Sequence, residues 1–198
     1  DSAMHFGGDE INLECWRQDE TTHSWMKDKG FDVTLAVEHH VKRIMEFAQA
    51  MGRIPILYND LYNLLPKDTS VLPPTTVVHV WSPIGSDHWQ QELKRVTKNH
   101  RAILSSPWYL DHATRGIDSW RDFWSIDPLE PYSRSSPDQK DRVLGGEAMA
   151  WGEHVDATNA ISSTWPLAAA VGERLWSPSS LQDIEDATRR MFRIRCRM

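Results

Sequence analysis

Short apolar runs alternate with longer amphipathic segments along the whole chain. Five runs read as buried strands: AMHFGG (3–8), RIPILY (53–58), TVVHVW (76–81), RAILSS (101–106) and RVLGGEAMAW (142–151). Four segments carry the spacing of helices, namely 34–52, 87–100, 163–176 and 180–198. The third of these has Pro166 in its first turn, a position that tolerates proline. A proline-rich stretch at 108–141 reads as a loop with one short helical piece at 119–124.

Strands followed by helices or long loops predict an α/β fold with a parallel sheet and right-handed crossovers. The strands are short and apolar on both faces, as in a closed barrel. An open, doubly wound sheet is the rival architecture. It is disfavoured because polar and aromatic residues follow every strand, whereas that fold gathers them at one switch point. No linker or low-complexity stretch divides the chain, so we predict a single unit.

Composition restricts the function. The 198 residues include 40% hydrophobic and 25% charged side chains, which is typical of a soluble globular protein. A net charge of −6 argues against nucleic acid as a partner, because nucleic-acid binders present a basic face. No apolar run reaches the about 18 residues of a membrane span, so none is expected. No signal peptide is expected within the chain, because Asp1 leads directly into the first strand.

Candidate chemistry follows the strands, where barrel enzymes place their active sites. The residues at these positions are Asp9, Glu10, Tyr58, Asp60, Trp81, Trp108, Tyr109, Asp111, Trp151 and Glu153. Carboxylates beside flat aromatic rings suit a neutral, polyhydroxylated ligand such as a carbohydrate. Each tryptophan could equally serve the core, and the acidic pair could equally be an exposed turn.

The adjacent acids Asp9 and Glu10 set a geometric condition. Neighbouring side chains on a flat strand point to opposite faces. Both can therefore serve one ligand only where the strand curls away from the sheet. Gly7 and Gly8, directly before the pair, permit such a backbone shape.

Five motifs occur in one order along the chain: HFGGDE, VVHVW, SSPWYLD, GGEAMAWGEHVD and WPLAAAVGERLWS. Together they resemble the β-N-acetylhexosaminidases of glycoside hydrolase family 20, most closely the lysosomal hexosaminidases of animals. The resemblance covers essentially the whole chain. It implies that residues 1–198 form the C-terminal part of a TIM (β/α)₈ catalytic domain, covering about strands 4 to 8. It also implies a lysosomal or secreted location.

The resemblance further implies hydrolysis of terminal N-acetylglucosamine or N-acetylgalactosamine with retention, using the substrate's own 2-acetamido oxygen as nucleophile. Glu10 is then the general acid and base, while Asp9 orients and stabilises the acetamido group. Tyr109 matches the tyrosine that donates to the acetamido oxygen. The residues that match the sugar-binding groups of the family are Trp81, Trp151 and Glu153. No metal and no cofactor are implied.

The resemblance also has one departure, which implies a looser acetamide pocket, and one position that bears on the charge of the substrate. The family shows Trp-x-Glu where this chain has Tyr58-Asn59-Asp60, a smaller ring and a carboxylate one methylene shorter. Asp111 matches a position that helps to set tolerance for charged substrates, and an acid there favours neutral ones. The implied partners are N-acetylhexosamine-terminated glycans, with a homodimer or heterodimer of the whole protein.

Cysteine spacing leaves several pairings open, since Cys15 and Cys196 could be reduced, paired with each other, or paired outside the chain. The resemblance implies disulfides with partners outside residues 1–198. Two rivals to a working enzyme stay open, namely a sugar-binding relative without catalysis and an inactive fragment. Residues 1–198 expressed alone are expected to be inactive.

Overall fold

A five-stranded parallel sheet forms the centre of the molecule. The computed structural model describes residues 2–66, 70–82, 88–113, 116–132 and 137–197. Its strands are β1 (Ala3–His5), β2 (Ile54–Tyr58), β3 (Val77–Val80), β4 (Arg101–Leu104) and β5 (Val143–Gly146). Every adjacent pair is parallel, and the order across the sheet is the order along the chain.

Helices fill the connections between the strands. Within the described residues they are α1 (Leu13–Gln18), α2 (Glu20–Lys29), α3 (Val33–Ala50), α4 (Asn59–Leu64), α5 (His88–Val96), α6 (Trp120–Ser125), α7 (Pro137–Lys140), α8 (Ala160–Thr164), α9 (Leu167–Trp176) and α10 (Ile184–Arg195). Three short 3₁₀ turns lie at Leu110–His112, Gly116–Ser119 and Glu130–Tyr132.

The unbroken strand order distinguishes the two candidate architectures. A doubly wound sheet reverses its order at a switch point, and a barrel does not. The order β1 to β5 contains no reversal. The prediction of an α/β fold with parallel strands is therefore confirmed, and the arrangement is consistent with a portion of a (β/α)₈ barrel.

Element boundaries differ from the sequence expectations at polar or proline-containing ends. Each predicted strand is shorter in the structure; the run 142–151, for example, leaves the sheet after Gly146. The helix predicted at 163–176 is two helices, because Trp165 and Pro166 interrupt it and Pro166 caps α9 instead of lying in its first turn. The helices predicted at 87–100 and 180–198 extend over His88–Val96 and Ile184–Arg195, and residues 87 and 198 lie outside the described residues.

The core lies between the sheet and the helices that cover it. The predicted apolar face of α5 is buried, with Trp89, Leu93 and Val96 each at most 7% exposed. Strand residues such as Leu57 and Val80 are fully enclosed in the same cluster. This packing holds the C-terminal ends of the strands at fixed positions.

Two surface features complete the description. Both cysteines lie within the described residues, and both Cys15 and Cys196 are exposed and unpaired, so they do not bond to each other. No helix in the described part of the chain is long and apolar enough to cross a membrane.

Candidate active site

A pocket of about 270 Å³ opens at the C-terminal ends of the strands. Acidic, aromatic and histidine side chains line it: Asp9, Glu10, Tyr58, Trp81, Tyr109, Asp111, His112, Trp151, Glu153 and His154. Eight of the ten strand-end candidates named from the sequence (all except Asp60 and Trp108) are thus brought together by five different strand ends.

The turn after β1 brings both acids to the same pocket. The strand ends at His5, and Gly7 and Gly8 follow with φ angles of 70° and 95°. A Cβ atom on Gly8 would lie 2.5 Å from a methyl carbon of Leu61 on α4, so only glycine fits there. Glu10 itself has a φ of 50°, a backbone conformation that is uncommon for a side-chain-bearing residue. The chain therefore turns out of the sheet after β1, as expected if Asp9 and Glu10 are to face the same pocket.

Asp60 lies behind the pocket wall and joins two of its parts. Its Oδ2 accepts hydrogen bonds from the indole N–H of Trp81 at 2.8 Å and from the backbone N–H of Glu10 at 3.2 Å. Burial raises the pKa of the Asp60 carboxyl, while these two donors act in the opposite direction. The shorter carboxylate at this position therefore still reaches both partners.

Asn59 fixes the backbone beside Trp81. Its side-chain oxygen accepts from the N–H of Trp81 at 3.1 Å, and its amide group donates to the carbonyl of Ser82 at 2.9 Å. The residue is buried, so these bonds have little competition from water.

The opposite wall is built from the segments after β4 and β5. Tyr109 and Met149 form an isolated parallel bridge that continues the pairing of these strands. Asp111 Oδ1 accepts from the backbone N–H of Trp151 at 3.3 Å, and Asp111 Oδ2 lies 3.4 Å from His112 Nε2. Asp111 thus joins the two segments that carry Tyr109 and Trp151.

The pKa values of the two tyrosines in the pocket wall are raised, which keeps their hydroxyl groups available as hydrogen-bond donors. Burial raises the pKa of Tyr109 to about 12, with Tyr58 and the acids Asp111 and Asp9 acting in the same direction and a hydrogen bond with Trp151 opposing it. Burial, and then the charge of Asp9, raise the pKa of Tyr58 as well. Tyr109 consequently carries its phenolic proton at any physiological pH.

One strand-end tryptophan does not belong to the pocket. Trp108 is fully buried, and its indole N–H donates to the carbonyl of Phe123 at 3.1 Å. The suggestion that it could stack on a ligand is wrong, because its ring points into the core. Trp151 is 41% exposed and lines the pocket instead.

Two further groups were missed by sequence reasoning. His112 and His154 line the pocket, and each directly follows a predicted site residue, Asp111 or Glu153. Their adjacency to predicted strand-end acids was the available signal. Among the described residues, no cluster of three or more His, Cys, Asp or Glu side chains is arranged to hold a metal ion.

Comparison with known proteins identifies the family. The model of the glycosyl hydrolase family 20 catalytic domain matches residues 1–179. The chain belongs to glycosyl hydrolase family 20. Within this family 20 catalytic domain, Asp9 and Glu10 lie in a pocket of the matched region.

Curated relatives cover the whole of this family 20 chain. It is 41% identical to β-hexosaminidase subunit beta of Mus musculus, over all of this chain and 36% of that protein. It is 35% identical to β-hexosaminidase subunit alpha of Bos taurus, over all of this chain and 37% of that protein. The chain therefore spans little more than a third of the length of these relatives.

A solved structure shares the fold. The chitobiase of Flavobacterium johnsoniae superposes with a TM-score of 0.76 at 24% identity, over 98% of this chain and 28% of that one. At this identity the likeness supports the fold alone.

Proposed function

We propose that the protein hydrolyses terminal, non-reducing N-acetylglucosamine or N-acetylgalactosamine residues of β-N-acetylhexosaminides. The observation that carries the proposal is the convergence of Asp9, Glu10 and Tyr109 with aromatic walls in one pocket of a family 20 chain. The chain is also 41% identical to a β-hexosaminidase subunit over its whole length.

In the first step the substrate's acetamido oxygen attacks C1 of its own sugar ring. The bond from C1 to the leaving oxygen breaks, and Glu10 gives its proton to that oxygen. This produces a cyclic oxazolinium ion and a free alcohol. A positioned acid of this kind contributes about 10²–10⁴ in rate.

In the second step the Glu10 carboxylate takes a proton from water while the water oxygen attacks C1. The C1–oxygen bond of the cyclic ion breaks, and the acetamido group is restored. Two displacements at C1 give net retention. Retaining enzymes that use a protein nucleophile place two carboxylates about 5 Å apart across the bond, and substrate-assisted enzymes dispense with the second.

Asp9 and Tyr109 are the groups that stabilise the cyclisation. The Asp9 carboxylate accepts from the acetamido N–H and offsets the positive charge that develops there. Tyr109 donates its phenolic proton to the acetamido oxygen, a role that the pKa of about 12 supports at every working pH.

The remaining wall residues bind the sugar. Trp81, Trp151 and Tyr58 offer ring faces or edges to its apolar side, with Tyr58 and Trp81 in an edge-to-face contact at 6.3 Å. Glu153 accepts from sugar hydroxyls, and Asp60 holds Trp81 in place. Asp111 favours neutral substrates, because an anionic substituent near it would be repelled.

Substrate assistance is tested by comparing leaving-group-matched aryl glycosides. The protein expressed from its complete coding sequence should cleave the N-acetylglucosaminide and leave the glucoside essentially intact. A thiazoline mimic of the cyclic ion should inhibit, and Asp9→Asn should weaken that inhibition. Equal cleavage of both glycosides would refute the mechanism. Binding of N-acetylglucosamine without any turnover would favour a sugar-binding relative.

Three further statements belong to the same proposal. The chain corresponds to about strands 4 to 8 of a (β/α)₈ barrel. The whole protein acts on hexosamine-terminated glycans in a lysosomal or secreted setting. It assembles as a homodimer or heterodimer, and the two subunit types among the relatives support this.

A further inference from the structure

A line of hydrogen bonds runs beneath the pocket across four strand ends. The backbone N–H of Gly7 donates to Nδ1 of His5 at 3.0 Å. Nε2 of His5 lies 3.2 Å from Nδ1 of His79, and Nε2 of His79 lies 2.7 Å from the hydroxyl of Ser105. The line ends at Glu147, whose Oε1 is 3.0 Å from Nε2 of His79.

The backbone donor at the start of this line determines which nitrogen of each histidine carries the proton. A backbone N–H can only donate, so Nδ1 of His5 is an acceptor and the proton of neutral His5 lies on Nε2. That proton is directed at Nδ1 of His79, which makes Nε2 the protonated nitrogen of His79 as well. The second ring then donates to Ser105 and Glu147. Every donor along the line has an acceptor only when both rings are neutral.

The line begins at the turn that carries the two acids. Gly7 precedes Asp9 by two residues and Glu10 by three. The rings also support the pocket floor, since Tyr58 lies 4.5 Å from His5 and 4.8 Å from His79 between ring centroids. A displaced His5 would therefore move both the acidic turn and the ring of Tyr58.

We propose that His5 and His79 are positioning residues: His79, tied to Ser105 and Glu147, orients His5, and His5 holds Gly7 so that Asp9 and Glu10 keep their catalytic geometry. The inference rests on the proposed function for its kinetic consequence, although the hydrogen-bond line can be observed without turnover.

The surroundings of both rings favour the neutral forms that this line needs. Burial, and then His5, lower the pKa of His79 to about 4. Although His5 retains exposed surface, desolvation lowers its pKa too, and the facing charge of Asp9 opposes this. The other groups against the two rings are Tyr58, Ser105 and the Glu147 carboxylate. Burial thus favours the neutral form of both rings, most strongly for His79.

Substitution by asparagine or glutamine tests the roles of the two ring nitrogens of each histidine separately. Asparagine can place its oxygen near the position of Nδ1, and glutamine can place its amide nitrogen near Nε2. His79→Asn therefore keeps the acceptor for His5, whereas His79→Gln keeps only the links to Ser105 and Glu147. By the same geometry, His5→Asn keeps the acceptor for Gly7 and His5→Gln loses it.

We expect both glutamine variants of the whole protein to lower kcat by about 10- to 100-fold, the cost of a misplaced catalytic group. Both asparagine variants should lower kcat less than the glutamine variants, because each keeps the acceptor at the Nδ1 position and loses only the contacts on the Nε2 side, although they remove more side-chain volume. KM should change less than kcat. In His79→Gln the ring of His5 gains access to water, so its pKa rises and the acid limb of the kcat profile moves to higher pH.

His100 provides a matched control. It is a partly buried histidine whose pKa is also lowered by burial, and it lies outside the pocket, directly before β4. His100→Gln should leave kcat, KM and the pH profile unchanged. Glutamine variants at 5 and 79 that equal or exceed the asparagine variants in kcat would overturn the proposal.

The protonation states give an independent readout. In ¹⁵N-histidine NMR spectra of the unsubstituted protein, His5 and His79 should both be Nε2–H tautomers at neutral pH, whether or not any substrate is turned over. An Nδ1–H tautomer at either residue would overturn the proposal. Absence of turnover with both tautomers as expected would instead count against the proposed function alone.

Discussion

The indole N–H of Trp81 donates a hydrogen bond to Asp60 across 2.8 Å. The same oxygen of Asp60 receives the backbone N–H of Glu10, so one carboxylate links an aromatic wall to the acidic turn. This link joins residues from three strand ends, so we expect Asp60 to influence catalysis indirectly.

Asp60→Ala should lower kcat/KM by at least about tenfold, because it leaves two donors without their acceptor. Asp60→Asn should cost much less, since one amide oxygen can accept both bonds. Steady-state kinetics on an aryl N-acetylglucosaminide measures both. Asp141→Ala, at an exposed acid before β5, serves as the control. Equal effects of alanine and asparagine at position 60 would argue against the link.

Gly8→Ala should lower the free energy of unfolding by at least about 2 kcal/mol, through backbone strain and overpacking. The φ of 95° disfavours any side chain, and the new Cβ would lie 2.5 Å from Leu61. Gly172→Ala in α9 is the matched control, because a Cβ there meets no atom within 4 Å. Denaturant unfolding of both variants tests this, and equal stabilities would contradict the packing of the turn.

Stability should fall as the pH drops from about 6.5 towards 4. The pKa of His79 is about 4 in the folded protein and 6.5 when unperturbed. Between these values the unfolded chain binds a proton that the folded chain does not, so acid favours unfolding. The full effect of a shift from 6.5 to about 4 is about 3 kcal/mol. His79→Asn should flatten the decline in melting temperature between pH 7 and pH 4, and an unchanged slope would exclude this origin.

Residues 1–198 expressed alone should associate and lack activity. Within the described residues β1 pairs only with β2, and β5 pairs only with β4, so each has an open edge. Open edges recruit other chains, and Met4 and Leu144 on these strands are 45% and 50% exposed. Size-exclusion chromatography and an aryl N-acetylglucosaminide assay test this. A monodisperse, active monomer would contradict it.

Local pattern was sufficient for the strand centres and the main helix faces. The run around Val78 is apolar enough to predict a buried strand without knowledge of its neighbours. The spacing of Trp89, Leu93 and Val96 places all three on one face of a helix, which is therefore the face that is buried. Helix α2 was not predicted because only Met26 in it is buried. The break at Pro166 was open to prediction, because proline disfavours the helical conformation in the residue before it, and Trp165 is extended (φ −108°, ψ 139°).

For the site as well, some features were predictable from local sequence and others were not. Strand-end positions predicted the pocket residues because parallel strands bring their C-terminal ends together. Trp108 and Trp151 look alike in sequence, yet one ring is enclosed and the other is not. The line from His5 to His79 joins residues 74 positions apart. Such a contact depends on strand register, which is fixed only when the sheet forms.

The most direct test of the account compares Glu10→Gln with the unsubstituted protein on substrates that differ in their leaving group. Hydrolysis of N,N′-diacetylchitobiose, whose leaving oxygen needs a proton, should slow by at least about 10²-fold. Hydrolysis of a dinitrophenyl N-acetylglucosaminide should slow far less, because its dinitrophenolate leaving group departs without needing a proton. Glu14→Gln, at an exposed acid on α1, should match the unsubstituted protein on both. Cleavage of the disaccharide by Glu10→Gln at the unsubstituted rate would contradict the assignment of Glu10 as the catalytic acid.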